Sequence, residues 1–482
     1  MFRQFRPLAA GAAGLALALG AAPVALAADP NAPAIDGRHL GLVWGLPFVG
    51  ILLSIAILPL AAPRFWHHHF GKVSAAWAAL VIVPFAVFHG VPSTIYEIVH
   101  LLLLDYIPFI VLLAALFVVT GGIHIRGNFH GSPSMNTALL AIGTVLAGWM
   151  GTTGASMLLI RPVIRANDDR QHKVHVFVFF IFLVSNIGGA LTPLGDPPLF
   201  LGFLKGVSFF WTTEHLFSEM LFCAVLLLAL FYGIDNYWYR KEGRLARDPT
   251  PESPIRLEGG VNIILLMLII GIVLASGTWN PGVSFTVFHV PLELQHVLRD
   301  LALAGVIVLS LKLTPRKVRA DNAFAWGPMA EVAKLFAGIF VTIAPALAIL
   351  RAGPEGVAAP LIGLVTGPDG QPLNIWYFWL TGILSSFLDN APTYLVFFNL
   401  AGGDATLLMG PLAGTLAAIS CGAVFMGANS YIGNAPNFMV KAVVEEAGIR
   451  MPSFFGYMAW SSAILLPLFA LLTLIFFRGP AS

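Results

Sequence analysis

The sequence predicts an all-α polytopic membrane protein made of two inverted repeats of about five spans, each with a re-entrant hairpin and a broken helix. Three observations carry this expectation. Of 482 residues, 58% are apolar and only 10% are Asp, Glu, Lys or Arg, whereas a soluble domain carries about 25% charged residues. Apolar stretches of bilayer length recur along the chain. Two motifs in the first half return in the second at a constant offset.

Other classes fall away on the same numbers. So few charges cannot coat a soluble body of this size, and a disordered chain would be far less apolar. A net charge of +2 offers nothing for a nucleic acid to bind. Cys223 and Cys421 both lie in apolar runs without metal-ligand spacing, so no disulfide framework or zinc site is expected. The 48 glycines and 33 prolines argue against a bundle of uninterrupted helices.

Residues 1–27 read as a cleaved secretory signal. Arg3 and Arg6 precede an Ala/Leu/Gly stretch, and Ala25-Leu26-Ala27 fits a cleavage site. The mature N-terminus is then periplasmic and the protein resides in a bacterial inner membrane. Spans are expected near 41–62, 73–90, 105–125, 174–206, 216–235, 261–277, 299–314, 331–350, 411–440 and 455–477. Segments 134–166 and 374–400 are interrupted by turn-forming or polar residues and suit re-entrant hairpins. Starting outside, this count places seventeen Lys and Arg in cytoplasmic segments and five on the other side. That asymmetry obeys the positive-inside rule. Residues 28–235 form the first repeat, 236–260 a basic cytoplasmic linker, and 261–482 the second repeat.

The repeat is visible in two places. TPLGDPPLF at 192–200 aligns with SYIGNAPNF at 430–438, an offset of 238. TVLAGWMGT at 144–152 aligns with GILSSFLDN at 382–390 at the same offset. By the span count one hairpin enters from the cytoplasm and the other from the periplasm, so the halves are inverted. Paired Gly/Pro-interrupted segments at matching places in inverted halves mark the midplane site of a secondary transporter. Irregular backbone survives at that depth only where protein or a watery cavity satisfies it.

Four clusters should therefore converge. They are Thr152, Thr153 and Ser156; Ser185, Asn186, Thr192 and Asp196; Ser385, Ser386, Asp389, Asn390 and Thr393; and Asn429, Ser430, Asn434 and Asn437. Hydroxyl, amide and carboxylate oxygens suit a hard cation such as Na⁺. Asp196 and Asp389 are the acids expected at mid-membrane, and an ionisable group there is a functional candidate. As Na⁺ ligands they would let protons and Na⁺ compete for one site. The plainer alternative is that each caps a half-helix, since Pro follows closely in both cases.

Other polar features read as structural. His67, His68 and His69 belong to an interfacial loop beside Arg64 and Lys72. Glu331 and Lys334 read as a helix-end ion pair. Arg161 and Arg165 read as positive-inside anchors with some scope for attracting an anion. His100 and Asp105 fall on an interfacial helix, STIYEIVHLLLLDY.

At these motifs the sequence resembles the ion transporter superfamily of arsenite permeases, sodium:dicarboxylate symporters and sodium:proton antiporters. YIPFIVLLAALFVVTGGIHIRG, SNIGGALTPLGDPPLFLGF, EVAKLFAGIFVTIAP and SSFLDNAPTYLVFFNLAG are similar to its citrate transporter and sodium:proton antiporter group. The resemblance covers most of the chain after the signal. It implies two inverted repeats, often a homodimer, with ion-site positions at Thr152, Thr153, Asp389, Asn390 and Thr393, and at Asn186, Thr192, Asp196, Ser430 and Asn434. Neither hairpin tip carries the Ser-Asn-Thr signature of the dicarboxylate symporters. Gly151-Thr152 stands where antiporter-type relatives often have Asp-Asn.

Na⁺/H⁺ exchange is the first expectation, because two midplane carboxylates would repel citrate. The alternative is a cation-coupled citrate or di- or tricarboxylate transporter, in which bound Na⁺ neutralises Asp196 and Asp389. A membrane enzyme or sensor is disfavoured, for no soluble domain, metal cluster or nucleophile motif is legible. The ions themselves, Na⁺ and H⁺, stand in place of a cofactor. The partners expected are small cations or organic anions, the lipid bilayer and a second copy of the chain.

Overall fold

The computed structural model describes residues 36–127, 129–243 and 254–478. The signal segment 1–27 lies outside them, as do Arg244 and Arg247 of the linker. Among the described residues nine helices are long and apolar enough to cross a membrane. A shorter apolar stretch, Ala413–Asn429, supplies the tenth expected span.

The chain opens with α1 (Leu42–Ala61), α2 (Pro63–His89) and α3 (Val91–Thr120). The first hairpin follows as α4 (Pro133–Met150) and α5 (Thr152–Ala166). The first broken helix is α6 (Val174–Leu183) and α7 (Pro197–Leu204), joined by irregular chain. Next come α8 (Trp211–Glu242), α9 (Val261–Thr278), α10 (Leu294–Leu313) and α11 (Gly327–Arg351). The second hairpin is α12 (Asn374–Phe387) and α13 (Asn390–Leu400). The second broken helix is α14 (Ala413–Met426) and α15 (Ala435–Glu446), and α16 (Phe454–Phe476) ends the fold.

Local chemistry sets the breaks. Ser132 caps α4 by accepting from the Met135 amide, with Pro133 at the first helical position. At the hairpin tip Gly151 has φ of +84°, a backbone that side chains rarely tolerate, and the chain reverses there. In the first broken helix a Cβ on Gly195 would lie 2.2 Å from Gly189 O. The two strands of irregular backbone thus cross in contact, which only glycine permits.

Four expectations need correction. His67, His68 and His69, read as an interfacial loop, lie within α2 (Pro63–His89). The segment read as an interfacial helix is instead the first part of α3, continuous with the span through a wide turn at Leu101–Tyr106. Its Asp105 is buried and held by Lys205 Nζ at 2.5 Å, so the carboxylate needs no headgroup contact. Helix α8 runs on to Glu242, and residues 236–242 are therefore helix rather than linker. Glu331 and Lys334 do not pair; Lys334 Nζ lies over the Phe70 ring, 5.4 Å from its centroid.

Two small antiparallel strand pairs lie outside the helices. β1 (His124–Arg126) pairs with β2 (Arg256–Glu258), tying the end of α3 to the linker. β3 (Ser284–Val287) pairs with β4 (Val290–Glu293) between α9 and α10.

Burial separates core from periphery. In the apolar window of Val174–Leu191, 94% of residues are buried, against 17% in Pro63–His89. The broken helix is therefore enclosed by protein, and α2 turns side chains such as Val87 and Phe88 outward. That arrangement fits a lipid-facing periphery around a core that carries the irregular backbone.

The candidate ion centre between the halves

The four interrupted elements meet at Asp196. This residue is the N-cap of α7 but makes no capping bond with its side chain. Its carboxylate is instead aimed inward. Oδ1 accepts from Thr152 Oγ1 at 2.9 Å and from Asn434 Nδ2 at 3.2 Å. Oδ2 accepts from Asn390 Nδ2 at 2.9 Å. Thr152 opens α5, Asn390 opens α13 and Asn434 caps α15. All four residues are buried.

A chain of amides continues from Asn434. Its Nδ2 also lies 3.1 Å from Ser185 O and 3.2 Å from Asn186 Oδ1. Asn186 donates to Ile181 O and to Asn437 Oδ1, both at 2.8 Å. Asn437 donates to Gly427 O and Ser430 O, both at 2.8 Å. Because the Asn437 amide faces two carbonyls, its orientation is fixed, and each amide after it is fixed in turn. Asn434 is thus committed to donate to Asp196.

The second arm is not committed. Ser385 Oγ is 2.6 Å from Asn390 Oδ1 and 2.6 Å from Ala423 O. A hydroxyl has one proton, so it serves one of these acceptors at a time. When Ala423 O receives it, the Asn390 amide must turn and donate to Ser385. The amide oxygen then faces Asp196, and a proton or a cation must lie between the two oxygens.

The remaining expected site residues take other roles. Ser156 Oγ and Ser185 Oγ are 2.9 Å apart, which joins them to the centre through the Ser185 backbone. Thr192 Oγ1 donates to Gly148 O, and Ser430 Oγ donates to Ser386 O. These two hydroxyls clamp the hairpins to the broken helices. Asp389 caps its own helix by accepting from the Ala391 amide at 3.0 Å, and Thr393 Oγ1 bonds Asp389 O at 2.9 Å. Thr153 makes no hydrogen bond to a described residue. Asn429 holds Ser386 Oγ at 2.9 Å and keeps a buried, unpartnered Oδ1.

The two clamps share the sequence offset of 238, and the backbone agrees with them. Asp196 has φ −141° and ψ 142°; Asn434 has φ −144° and ψ 140°. The hairpin tips do not match. Asp389 has φ −57° and Gly151 has φ +84°, so the first tip does not accommodate a carboxylate like the second without strain. Asp389 shares no hydrogen-bond donor with Asp196, although it lies near enough to act on it electrostatically.

Three further buried acids escaped the sequence reading. Asp235 accepts from Arg170 Nη2 at 2.9 Å, His175 Nε2 at 2.8 Å and Asn136 Nδ2 at 2.9 Å. Arg170 also binds Glu242 at 2.8 Å. Glu219 sits within α8 and accepts from Ser218 Oγ at 2.8 Å. The available signal was an acid inside an apolar run, but a span end and a helix interior look alike in sequence.

The chain is similar to several mycobacterial proteins. The protein named "Uncharacterized transporter Rv2684" of Mycobacterium tuberculosis is 22% identical over 355 residues, covering 70% of this chain and 78% of its own length. A counterpart of Mycobacterium bovis, "Uncharacterized transporter Mb2703", aligns with the same figures. A "46 kDa membrane protein" of Mycobacterium leprae is 25% identical over 329 residues, covering 66% of this chain and 71% of its own. Residues 37–477 match one transporter family. The chain belongs to that family, which is described as "Putative citrate transport".

Proposed function

We propose that the protein is a secondary transporter that moves a citrate-class carboxylate with a coupling cation held at Asp196. The observation that carries this reading is the convergence of four helix N-termini, those of α5, α7, α13 and α15, on one carboxylate. Helix N-termini bear partial positive charge and attract anions. Asp196 meets only neutral donors there, so its charge calls for a mobile cation. Once that cation is bound, the surrounding helix ends favour an organic anion beside it. The family's description points to the same substrate class.

Na⁺/H⁺ exchange becomes the second reading. It is favoured by the buried Asp196 carboxylate, which has no basic partner among the described residues, so that Na⁺ and H⁺ would displace one another there. Proteoliposomes separate the two. Labelled citrate uptake driven by a Na⁺ or proton gradient is expected. Na⁺-induced dequenching of an internal pH dye without carboxylate, together with no uptake of citrate or related di- and tricarboxylates, overturns the first reading.

The repeat division, 28–235 and 261–482, belongs to the same proposal. The clamps Thr192–Gly148 and Ser430–Ser386, with their common offset, support it. The proposed setting is a bacterial inner membrane, with a cleaved signal, a periplasmic mature N-terminus and two copies assembled as a dimer. The basic loops support the orientation. Cysteine labelling on either side of the membrane tests it.

A further inference from the structure

Helices α5 and α15 leave the Asp196 centre together and pack along one another. Arg161 is nine residues beyond Thr152 and Glu446 is twelve beyond Asn434. At 1.5 Å per residue these lie about 14 and 18 Å along their helices from the centre. Between the helices is a cleft of about 320 Å³, lined by Arg161, Ile164, Arg165, Val443, Glu446 and Ala447. By the loop charges, this is the cytoplasmic end of the seam.

The two guanidinium groups are unusual in how little they are used. Arg161 is half-buried and has no hydrogen bond or ion pair among the described residues. Arg165, also half-buried, donates from Nη2 to Ile125 O at 2.7 Å. The two act on each other repulsively through space, with Asp168 as a partial counterweight on Arg165. An anchor for lipid headgroups would face outward. These instead line a cleft between the two helices whose N-termini meet at the ion centre.

We infer that this cleft is a cytoplasmic binding site for a di- or tricarboxylate, with Arg161 and Arg165 as its anion-binding residues. Residues four apart on a helix present neighbouring side chains. Each guanidinium offers a planar fork matched to one carboxylate. Ile164, Val443 and Ala447 give an apolar wall for the carbon skeleton, which sulfate or phosphate would not use. Glu446 faces the same cleft and opposes the anion. Its charge keeps affinity low, so that substrate is released as well as captured. The inference rests on the carboxylate reading and adds a second station to it.

The test uses the full chain in proteoliposomes of zwitterionic lipid, with KM for citrate measured from each face. Arg161→Gln is the main variant, because Arg161 has no protein hydrogen bond to lose. Its KM from the cytoplasmic face should rise about ten-fold more than from the periplasmic face, the equivalent of about 1.4 kcal/mol. Glu446→Gln should lower the cytoplasmic KM. An unchanged ratio of the two values in Arg161→Gln overturns the site. An effect seen only when anionic lipid is present also overturns it, since the arginines would then hold headgroups. Wild-type protein that carries no carboxylate overturns both this site and the reading beneath it. Citrate transport that needs Asp196 but ignores Arg161 and Glu446 overturns this site alone.

Discussion

Asn390 Nδ2 lies 2.9 Å from Asp196 Oδ2, and this bond joins the second hairpin to the first broken helix. Its partner bond, from Asn434 to the other carboxylate oxygen, also crosses between the halves. The two differ in freedom. Asn434 is held by a line of amides that ends on backbone carbonyls. Asn390 is held by a serine hydroxyl with two acceptors and one proton. Besides the Thr152 hydroxyl, Asp196 thus has one fixed amide donor and one that can present either nitrogen or oxygen. An ion site that must load and unload needs such an arm, because a cation requires oxygen where the empty carboxylate requires a donor.

Asp196→Asn should reduce cation-dependent citrate flux to background while leaving the protein folded. The replacement keeps shape but removes the only carboxylate in the hydrogen-bonded centre. Asp389→Asn should keep transport, because Asn caps a helix about as well as Asp. Asp389→Ala should cost stability of about 0.5–2 kcal/mol through the lost cap. Flux assays paired with thermal unfolding separate the two. Equal loss in both Asn variants would restore the two-carboxylate site.

Coupling-cation binding should be visible without any substrate. A ligand bound to the folded state alone stabilises it by about 2.7 kcal/mol at a hundred-fold excess over its Kd. Na⁺ should therefore raise the unfolding temperature of wild-type protein at constant ionic strength, and choline should not. Asp196→Asn should lose the difference. A wild-type protein indifferent to Na⁺ at neutral pH would make the proton the coupling ion.

A separate cost attaches to the Arg170–Asp235–Glu242 cluster. Both partners of the Arg170–Asp235 pair are fully buried, 2.9 Å apart. Removing one member of a buried pair leaves the other charge without compensation and costs about 3–5 kcal/mol. Asp235→Ala should therefore lower the unfolding temperature strongly. Lys441→Ala, which breaks an exposed pair with Glu445, should change it little. Comparable shifts in the two variants would contradict the burial of the cluster.

The sequence revealed what depends on repetition and composition. The span positions, both hairpins and both broken helices follow from apolar length and from the shared offset of Thr192, Asp196, Ser430 and Asn434. It did not reveal the division of labour at the hairpin tips. Asp389 and Asp196 look equivalent as letters, each with a proline within the next three residues. Only their hydrogen bonds separate them: Asp196 turns to Thr152, Asn390 and Asn434, whereas Asp389 accepts from the Ala391 amide of its own helix. Asp105 and Asp235 were obscured for a related reason. Their partners, Lys205 and Arg170, are 100 and 65 residues away in the chain, and pairing at that separation leaves no local pattern.

Ser385 offers the sharpest test of the switchable arm. With a cation or proton at Asp196, Ser385 donates to Ala423 O and receives from Asn390, which makes two bonds. With the site empty, it donates to Asn390 and leaves its oxygen 2.6 Å from Ala423 O without a proton between them. The hydroxyl therefore favours the loaded state by roughly one hydrogen bond, about 1 kcal/mol. Ser385→Ala should weaken the apparent cation affinity about five-fold, with maximal flux at saturating cation largely retained. Ser385→Thr keeps the hydroxyl and should stay near wild type if its methyl is accommodated. Cation titration of citrate uptake measures both. Unchanged or tighter cation affinity in Ser385→Ala would show that Asn390 does not turn.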